Sequence, residues 1–193
     1  SNYLVSGKVP GRAGNAHQNI VPYQVFEVMA PDGAAPGTRD HLILAVGNDG
    51  QFAKFCAVAG HPELAKDARY ALNADRVRHR AELVPQLETI MRTRTKADWL
   101  GALEAAKVPC GAINTLGEVF VDPQVRERGM VSTWSHPIQP NLKLVASPIK
   151  MSRTPVRQDL PPPMLGQHTA EVLTEVLGWT AEQQGPLRGK GVI

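Results

Sequence analysis

Apolar and polar positions along the 193 residues switch between two periods, and the switches mark out a mixed α/β chain. Residues 23–29 (YQVFEVM) and 41–46 (HLILAV) have strand length and composition, and the Gly-, Pro- and Asp-rich stretch between them reads as an exposed hairpin connection. Asn48, with Gln51 three residues on, predicts a capped helix start; Phe52, Phe55 and Cys56 form its buried side and Gly60 its stop. His61-Pro62 predicts a further short helix. From residue 74 to 92 the apolar positions Val77, Ala81, Val84, Leu87 and Met91 fall on one stripe, which predicts a single long amphipathic helix. Thr95 and Asp98 open the next helix, with Trp99, Leu100 and Leu103 facing inward. The two helices predict an antiparallel hairpin covering a small sheet.

Backbone punctuation is densest in residues 108–125, VPCGAINTLGEVFVDPQV. An extended apolar run turns through Gly111, and two short helices follow in quick succession. Thr115 and Glu118 have capping-box spacing, and Asp122-Pro123 pairs an N-cap carboxylate with proline at the first helical position. Gly129 suits the left-handed residue that ends the second helix. Residues 131–156 are β-rich, broken by prolines, and predict two or three strands. LPPPM, residues 160–164, is a stiff extended link. Beyond it, Val172, Leu173, Val176 and Leu177 give residues 168–177 an apolar stripe with Gly178 as its stop, and Thr180 with Gln183 caps a last helix ending near Gly189. Residues 1–22 carry no sustained period and read as an arm. The expected organisation is an arm over 1–22, a small α/β domain over 23–130, and a return linker with a tail over 131–193.

Composition narrows the class. A hydrophobic content of 42% with 20% charged residues is that of a soluble globular domain, and no apolar run reaches a membrane span. A net charge of +3 gives little reason to expect a nucleic-acid partner; the basic residues between Arg69 and Arg94 read as the solvated face of the long helix. Cys56 and Cys110, the two cysteines, suit neither a disulfide framework nor a zinc site, which points to a reducing, cytoplasmic setting. His41, His61, His79, His136 and His168 lack metal-ligand spacing and read as structural. VGNDG, residues 46–50, has no Walker lysine and reads as a strand-to-helix turn. Ser1-Asn2 in place of an initiator methionine reads as a processed or tag-derived start.

Five blocks, in order, carry a resemblance: residues 14–26 (GNAHQNIVPYQVF), 44–52 (LAVGNDGQF), 108–125, 144–156 (LVASPIKMSRTPV) and 165–173 (LGQHTAEVL). Together they make the chain resemble the family III CoA-transferases, a group that includes formyl-CoA transferase, carnitine dehydratase-like enzymes, bile-acid-inducible protein F and the α-methylacyl-CoA racemases. Only the second half of such an enzyme is matched: a helix-covered small sheet domain, plus the tail that returns to the large domain. The resemblance implies transfer of CoA from an acyl-CoA to a carboxylic acid by covalent catalysis on an aspartate. That aspartate would lie in an N-terminal domain this chain lacks, leaving the chain inactive alone and without a catalytic residue of its own. The implied partners are acyl-CoA and carboxylate substrates, with no covalently bound cofactor, no metal, and an intertwined homodimer in the complete enzyme.

The candidate substrate-binding residues are Gly14, Asn15, His17, Asn19, Tyr23 and Gln24, a run of hydrogen-bonding groups without helix or strand signal. In the resembled family this region carries, in some members, a glycine-rich loop that closes over the reactive intermediates. Here the bulkier His17, Gln18 and Asn19 occupy its middle, which implies a different acyl substrate. The competing reading of the same polar groups is that they satisfy the backbone of a connecting arm. Two other readings of the chain stand beside the transferase: a non-catalytic dimerisation or docking module, and a racemase-type acyl-CoA enzyme of the same fold.

Overall fold

The computed structural model describes residues 2–157 and 159–193, so the expected start signal at Ser1 lies outside the described residues. The chain forms two compact units, Ser1–Thr115 and Leu116–Ile193. The first contains the hydrophobic core. After a short helix α1 (Asn2–Ser6) and an irregular arm, β1 (Tyr23–Val28) and β2 (Asp40–Ala45) form the expected antiparallel pair, with Phe26 opposite Leu42 and Val25 opposite Ile43. β3 (Cys110–Ile113) joins on the other side of β2, so β2 is central and β1 is an edge. Gly111 stands opposite Ile43, where an added Cβ would meet the Ile43 side chain at 3.4 Å.

The helices between β2 and β3 cover this sheet. α2 (Asp49–Val58) begins where Asn48 accepts a hydrogen bond from the Gln51 amide, and buries Phe52, Phe55 and Cys56. α4 (Arg80–Met91) packs on β1, and α5 (Lys96–Ala105) packs on β2 and β3. Thr95 caps α5 by accepting from the Asp98 amide, and Trp99 is fully buried with its indole N–H donating to the Met91 carbonyl at 2.7 Å. The caps and the strand pair thus lie where the hydrophobic and polar pattern placed them.

Three expectations are corrected. Residues 62–71 are a succession of turns rather than a helix; Asp67 accepts from the Arg69 amide, and the Tyr70 and Ala71 amides both converge on the Asp67 carbonyl. The long helix over 74–92 is two helices, α3 (Asn73–Arg78) and α4, separated at His79, whose φ of −97° and ψ of 21° leave the helical region. The buried side of α4 is Leu83, Leu87, Ile90 and Met91, while Ala81 is exposed, so the helix is rotated from the stripe the spacing suggested.

The third correction concerns the same helices. The basic face is not uniformly solvated, because Arg76 is completely buried. Its Nε donates to the Val21 carbonyl at 2.6 Å, Nη1 to the Tyr70 and Ala71 carbonyls, and Nη2 to Asp49 Oδ1 at 2.8 Å. The guanidinium also lies 4.3 Å from the centroid of the Phe52 ring. Burying a charge is tolerable only when its donors are satisfied in this way. Arg76, Leu83 and Leu87, seven and then four residues apart, all turn inward across the break at His79.

In the second unit, α6 (Leu116–Val121) and α7 (Pro123–Glu127) follow the predicted start signals, Asp122 accepting from the Gln124 and Val125 amides. β4 (Val131–Trp134) and β5 (Leu142–Val145) form a two-stranded antiparallel hairpin. α8 (Thr169–Leu177) ends at Gly178, whose φ of 67° is the left-handed geometry that glycine adopts without a Cβ penalty. α9 (Ala181–Gly189) opens with a complete capping box between Thr180 and Gln183. Gln184 is buried and donates from Nε2 to Thr174 Oγ1 and the Trp179 carbonyl, linking α9 to α8. Much apolar surface stays exposed, including Val172, Val176 and Leu177 along α8.

Both thiols are poor nucleophiles. Burial pushes the Cys56 thiol up from 9.0 to about 12, and burial followed by the Glu104 charge also raises Cys110. Neither beginning of a reactive cysteine, an exposed position or a depressed pKa, is present.

Two predictions follow from this packing. Arg76→Ala leaves the Val21 and Tyr70 carbonyls without their donor and should cost about 3 kcal/mol in urea unfolding, whereas the exposed Ala81→Ser should change stability by less than about 0.5 kcal/mol. Equal losses for the two would contradict the buried role of Arg76. For Cys56, the folded state holds its proton above pH 9 while the unfolded thiol releases it, so this contribution to stability is whole below pH 9 and is lost as pH rises toward 12. Urea melts at pH 8 and pH 10 should show the wild type losing about 1.4 kcal/mol relative to Cys56→Ala; parallel behaviour of the two proteins would exclude it.

Candidate functional site

The arm leading into β1 is held along that strand's outer edge. Asn15 Oδ1 accepts from the Val25 amide at 3.0 Å, and the His17 amide donates to the Tyr23 carbonyl at 2.8 Å. These bonds satisfy edge groups that a two-sided ladder would otherwise leave open. Gly14 permits the turn before Asn15 with a φ of 60°. The His17 ring stacks on Tyr23 with centroids 5.4 Å apart, and His17 Nδ1 accepts from the Asn19 amide at 3.0 Å. An imidazole that accepts at Nδ1 carries its proton on Nε2, so His17 offers a donor at its far nitrogen.

Residues from the helices and from α1 fix the rest of the loop. Asn73 Nδ2 donates to the Asn19 carbonyl and its Oδ1 accepts from the Val21 amide, while Arg76 takes the Val21 carbonyl. Arg80 Nη2 donates to the His17 carbonyl at 2.6 Å and to the Gln18 carbonyl at 2.8 Å. Thus Asn73, Arg76 and Arg80, spaced by three and four residues, hold the carbonyls of residues 17, 18, 19 and 21. On the other side, Asn2 and Asn19 exchange side-chain amide bonds at 2.9 and 3.1 Å, and Asn2 Nδ2 also reaches Gln18 Oε1. The peptide between Val21 and Pro22 is cis, and the Pro22 carbonyl accepts from the Val46 amide.

Of the six residues singled out in the sequence, Asn15, His17, Asn19 and Tyr23 come together in this loop and its anchor on β1, with Gly14 as the turn. Gln24 stands in β1 opposite Leu44, half-buried, apart from the loop's hydrogen bonds. The loop borders an open concavity of about 570 Å³ lined by Asn2, Tyr3, Pro10, Ala16, His17, Gln18 and Asn19. Sequence reasoning missed Asn2, Asn73, Arg76 and Arg80. For Asn73, Arg76 and Arg80 the signal is a set of polar residues at helical spacing, which a solvated face explains equally well; Asn2 carries no such signal.

The carboxylates of this chain are mostly committed to neighbours. Asp49 accepts from the Asn73 amide as well as Arg76, Asp40 pairs with Lys96 at 2.8 Å, Asp98 accepts from the Thr95 hydroxyl, and Asp75 pairs with Arg78. The Arg69 guanidinium beside Asp67 holds its carboxyl below the usual carboxylate range. Among the described residues no three of His, Cys, Asp and Glu gather as a metal site, and no helix is long and apolar enough to cross a membrane.

Comparison with known proteins converges on one group. The model of CoA-transferase family III matches residues 1–169. The chain is 45% identical over 175 residues to a succinate–glutarate CoA-transferase of Agrobacterium fabrum, an alignment covering 91% of this chain and 42% of that protein. It is 35% identical over 194 residues to the succinyl-CoA:glutarate CoA-transferase of Homo sapiens, covering 100% of this chain and 42% of the relative. Among solved structures, a CAIB/BAIF family protein from Brucella suis superposes with a TM-score of 0.69 at 41% identity, covering 90% of this chain and 42% of that one. The chain therefore spans 42% of the length of each of these relatives. With the match running from the arm through the hairpin to the start of α8, the chain belongs to CoA-transferase family III.

Proposed function

We propose that this chain is the small domain and returning tail of an enzyme that moves CoA from an acyl-CoA to a carboxylic acid. The observation that carries this reading is the family match over residues 1–169, together with relatives named for CoA transfer between succinate and glutarate. The nucleophile is an aspartate in the N-terminal domain that the relatives' greater length accommodates. Its carboxylate attacks the acyl-CoA thioester and expels CoA thiolate, leaving a mixed anhydride. The thiolate attacks the aspartyl carbonyl of that anhydride and releases the donor carboxylate. The acceptor carboxylate then displaces the thiolate from the aspartyl thioester to give a second anhydride, and the thiolate takes the acceptor acyl group and frees the aspartate. The engagement of Asp40, Asp49, Asp75 and Asp98 in pairs and caps supports placing the nucleophile elsewhere.

In this reading Gly14, Asn15, His17, Asn19, Tyr23 and Gln24 form the face that meets the acyl substrate. With Asn15 Oδ1 occupied by the Val25 amide, its Nδ2 is left to donate outward, as is His17 Nε2. A loop that presents donors suits the oxygens of an acyl or carboxylate group. The same reading places the complete enzyme in the cytoplasm as a homodimer with CoA as substrate and no bound cofactor. A second reading, a docking module without chemistry, is favoured by one observation: α8 exposes Val172 at 52%, Val176 at 74% and Leu177 at 54%, more apolar surface than a finished face leaves open.

Co-expression separates them. Supplying the N-terminal part of the Agrobacterium fabrum relative should give CoA transfer from succinyl-CoA to glutarate that neither piece shows alone. A stable pair without transfer, and without epimerisation of an α-methylacyl-CoA, would leave the docking module standing and exclude both enzyme readings.

A further inference from the structure

Three cations of the loop region, Lys8, Arg12 and Arg80, face no carboxylate among the described residues. From Asn2 to Phe26 the sequence contains Lys8 and Arg12 and not one aspartate or glutamate; the first acid is Glu27. Arg80, anchored on the His17 and Gln18 carbonyls through Nη2 alone, makes no ion pair among the described residues, and neither do Lys8 and Arg12. The other arginines of this region are different: Arg69, Arg76 and Arg78 each face a carboxylate. A guanidinium has five N–H groups, and two suffice for the carbonyls, so Arg80 keeps three donors and its full charge. It is half-buried, which weakens screening, and its orientation is fixed by two backbone oxygens, which lowers the entropy lost on binding.

We infer that Arg80 is a specificity-determining residue: it holds the carbonyls of His17 and Gln18, which line the concavity, and its unpaired charge next to them makes that concavity a receptor for an anionic oxygen group of the substrate. The favoured source is the free carboxylate of a dicarboxylic acyl group, the end that does not react. His17, Gln18 and Asn19 on the lining of the concavity offer hydrogen-bonding groups to that carboxylate, and the acid-free arm removes the repulsion that would otherwise oppose it. The phosphates of CoA offer the same chemistry from a second source. The inference rests on the transfer reading for the identity of the anion, and on the charge and hydrogen-bond geometry for the site itself.

Nitrogen-15 NMR of the 193-residue chain reads binding without turnover, so the site can be tested apart from the reaction. Glutarate should shift the backbone amides of residues 15–19, while glutaramide, its uncharged isostere, should not. Arg80→Met should weaken the glutarate response on the order of tenfold, with Arg80→Lys, which keeps the charge and can reach both carbonyls, largely restoring it. Unchanged spectra outside the loop would show that Arg80→Met is folded. Shifts with adenosine 3′,5′-bisphosphate but not glutarate would assign the receptor to CoA phosphate. Absence of both responses, or an equal response to glutaramide, would overturn the inference. Loss of the transfer reading in the co-expression assay with these shifts intact would instead sink the reaction and leave the anion site in place.

Discussion

A single buried guanidinium ties together the parts of the first unit that the rest depends on. Arg76 touches the arm at Val21, the turn region at Tyr70 and Ala71, and the start of α2 at Asp49, while its plane lies over Phe52. These contacts come from three separate stretches of chain. An isolated charge in an apolar core would be costly by several kcal/mol, so the geometry that satisfies every donor is also the geometry that fixes the fold. Asp49 shows the economy of the arrangement: it sits in the first turn of α2, where the helix dipole favours a carboxylate, and it also receives Arg76 and the first amide of α3.

From that anchor the candidate site follows. Once Arg76 is turned inward, Asn73 and Arg80 lie on the same side of the broken helix and reach the loop carbonyls on either side of Val21. The loop is therefore held through its backbone carbonyls from one side and through the side chains of Asn15, His17, Gln18 and Asn19 from the other.

Elements whose cause is local were legible from the sequence. The strand pair, the Asn48, Thr95, Asp122 and Thr180 caps, and the Gly178 stop each depend on a few adjacent residues, and each lies where expected. What the sequence concealed was decided by contacts far along the chain. The phase of α4 is set by Leu83 and Leu87 meeting the core, and the inward turn of Arg76 by its partner Val21, 55 residues away. The turns over 62–71 replace a helix because Asp67 gathers Arg69 and the following amides around itself. For the candidate site, hydrogen-bonding composition and the family resemblance single out the loop residues but not the residues that hold them, since an arginine on a helix looks the same whether it meets water or a carbonyl.

The two units differ in how completely they account for their own apolar surface, and this bears on how the chain works. The first unit buries Phe26, Phe52, Phe55, Trp99 and Leu103 fully and satisfies its one buried charge. The second, considered by itself, buries Ala146 and Gln184 but leaves the apolar residues of α8 and of the β4–β5 hairpin largely in contact with solvent. Hydrophobic free energy scales with area removed from water, so the tail gains little from its own packing and most from whatever surface covers it. The hydrogen bonds of Gln184 show that the α8–α9 corner nevertheless has a defined internal geometry. A preformed corner with an uncovered apolar side loses less conformational entropy on docking than a disordered tail would. The first unit thus uses its own packing to shape the loop, while the second keeps its apolar side open to a covering surface.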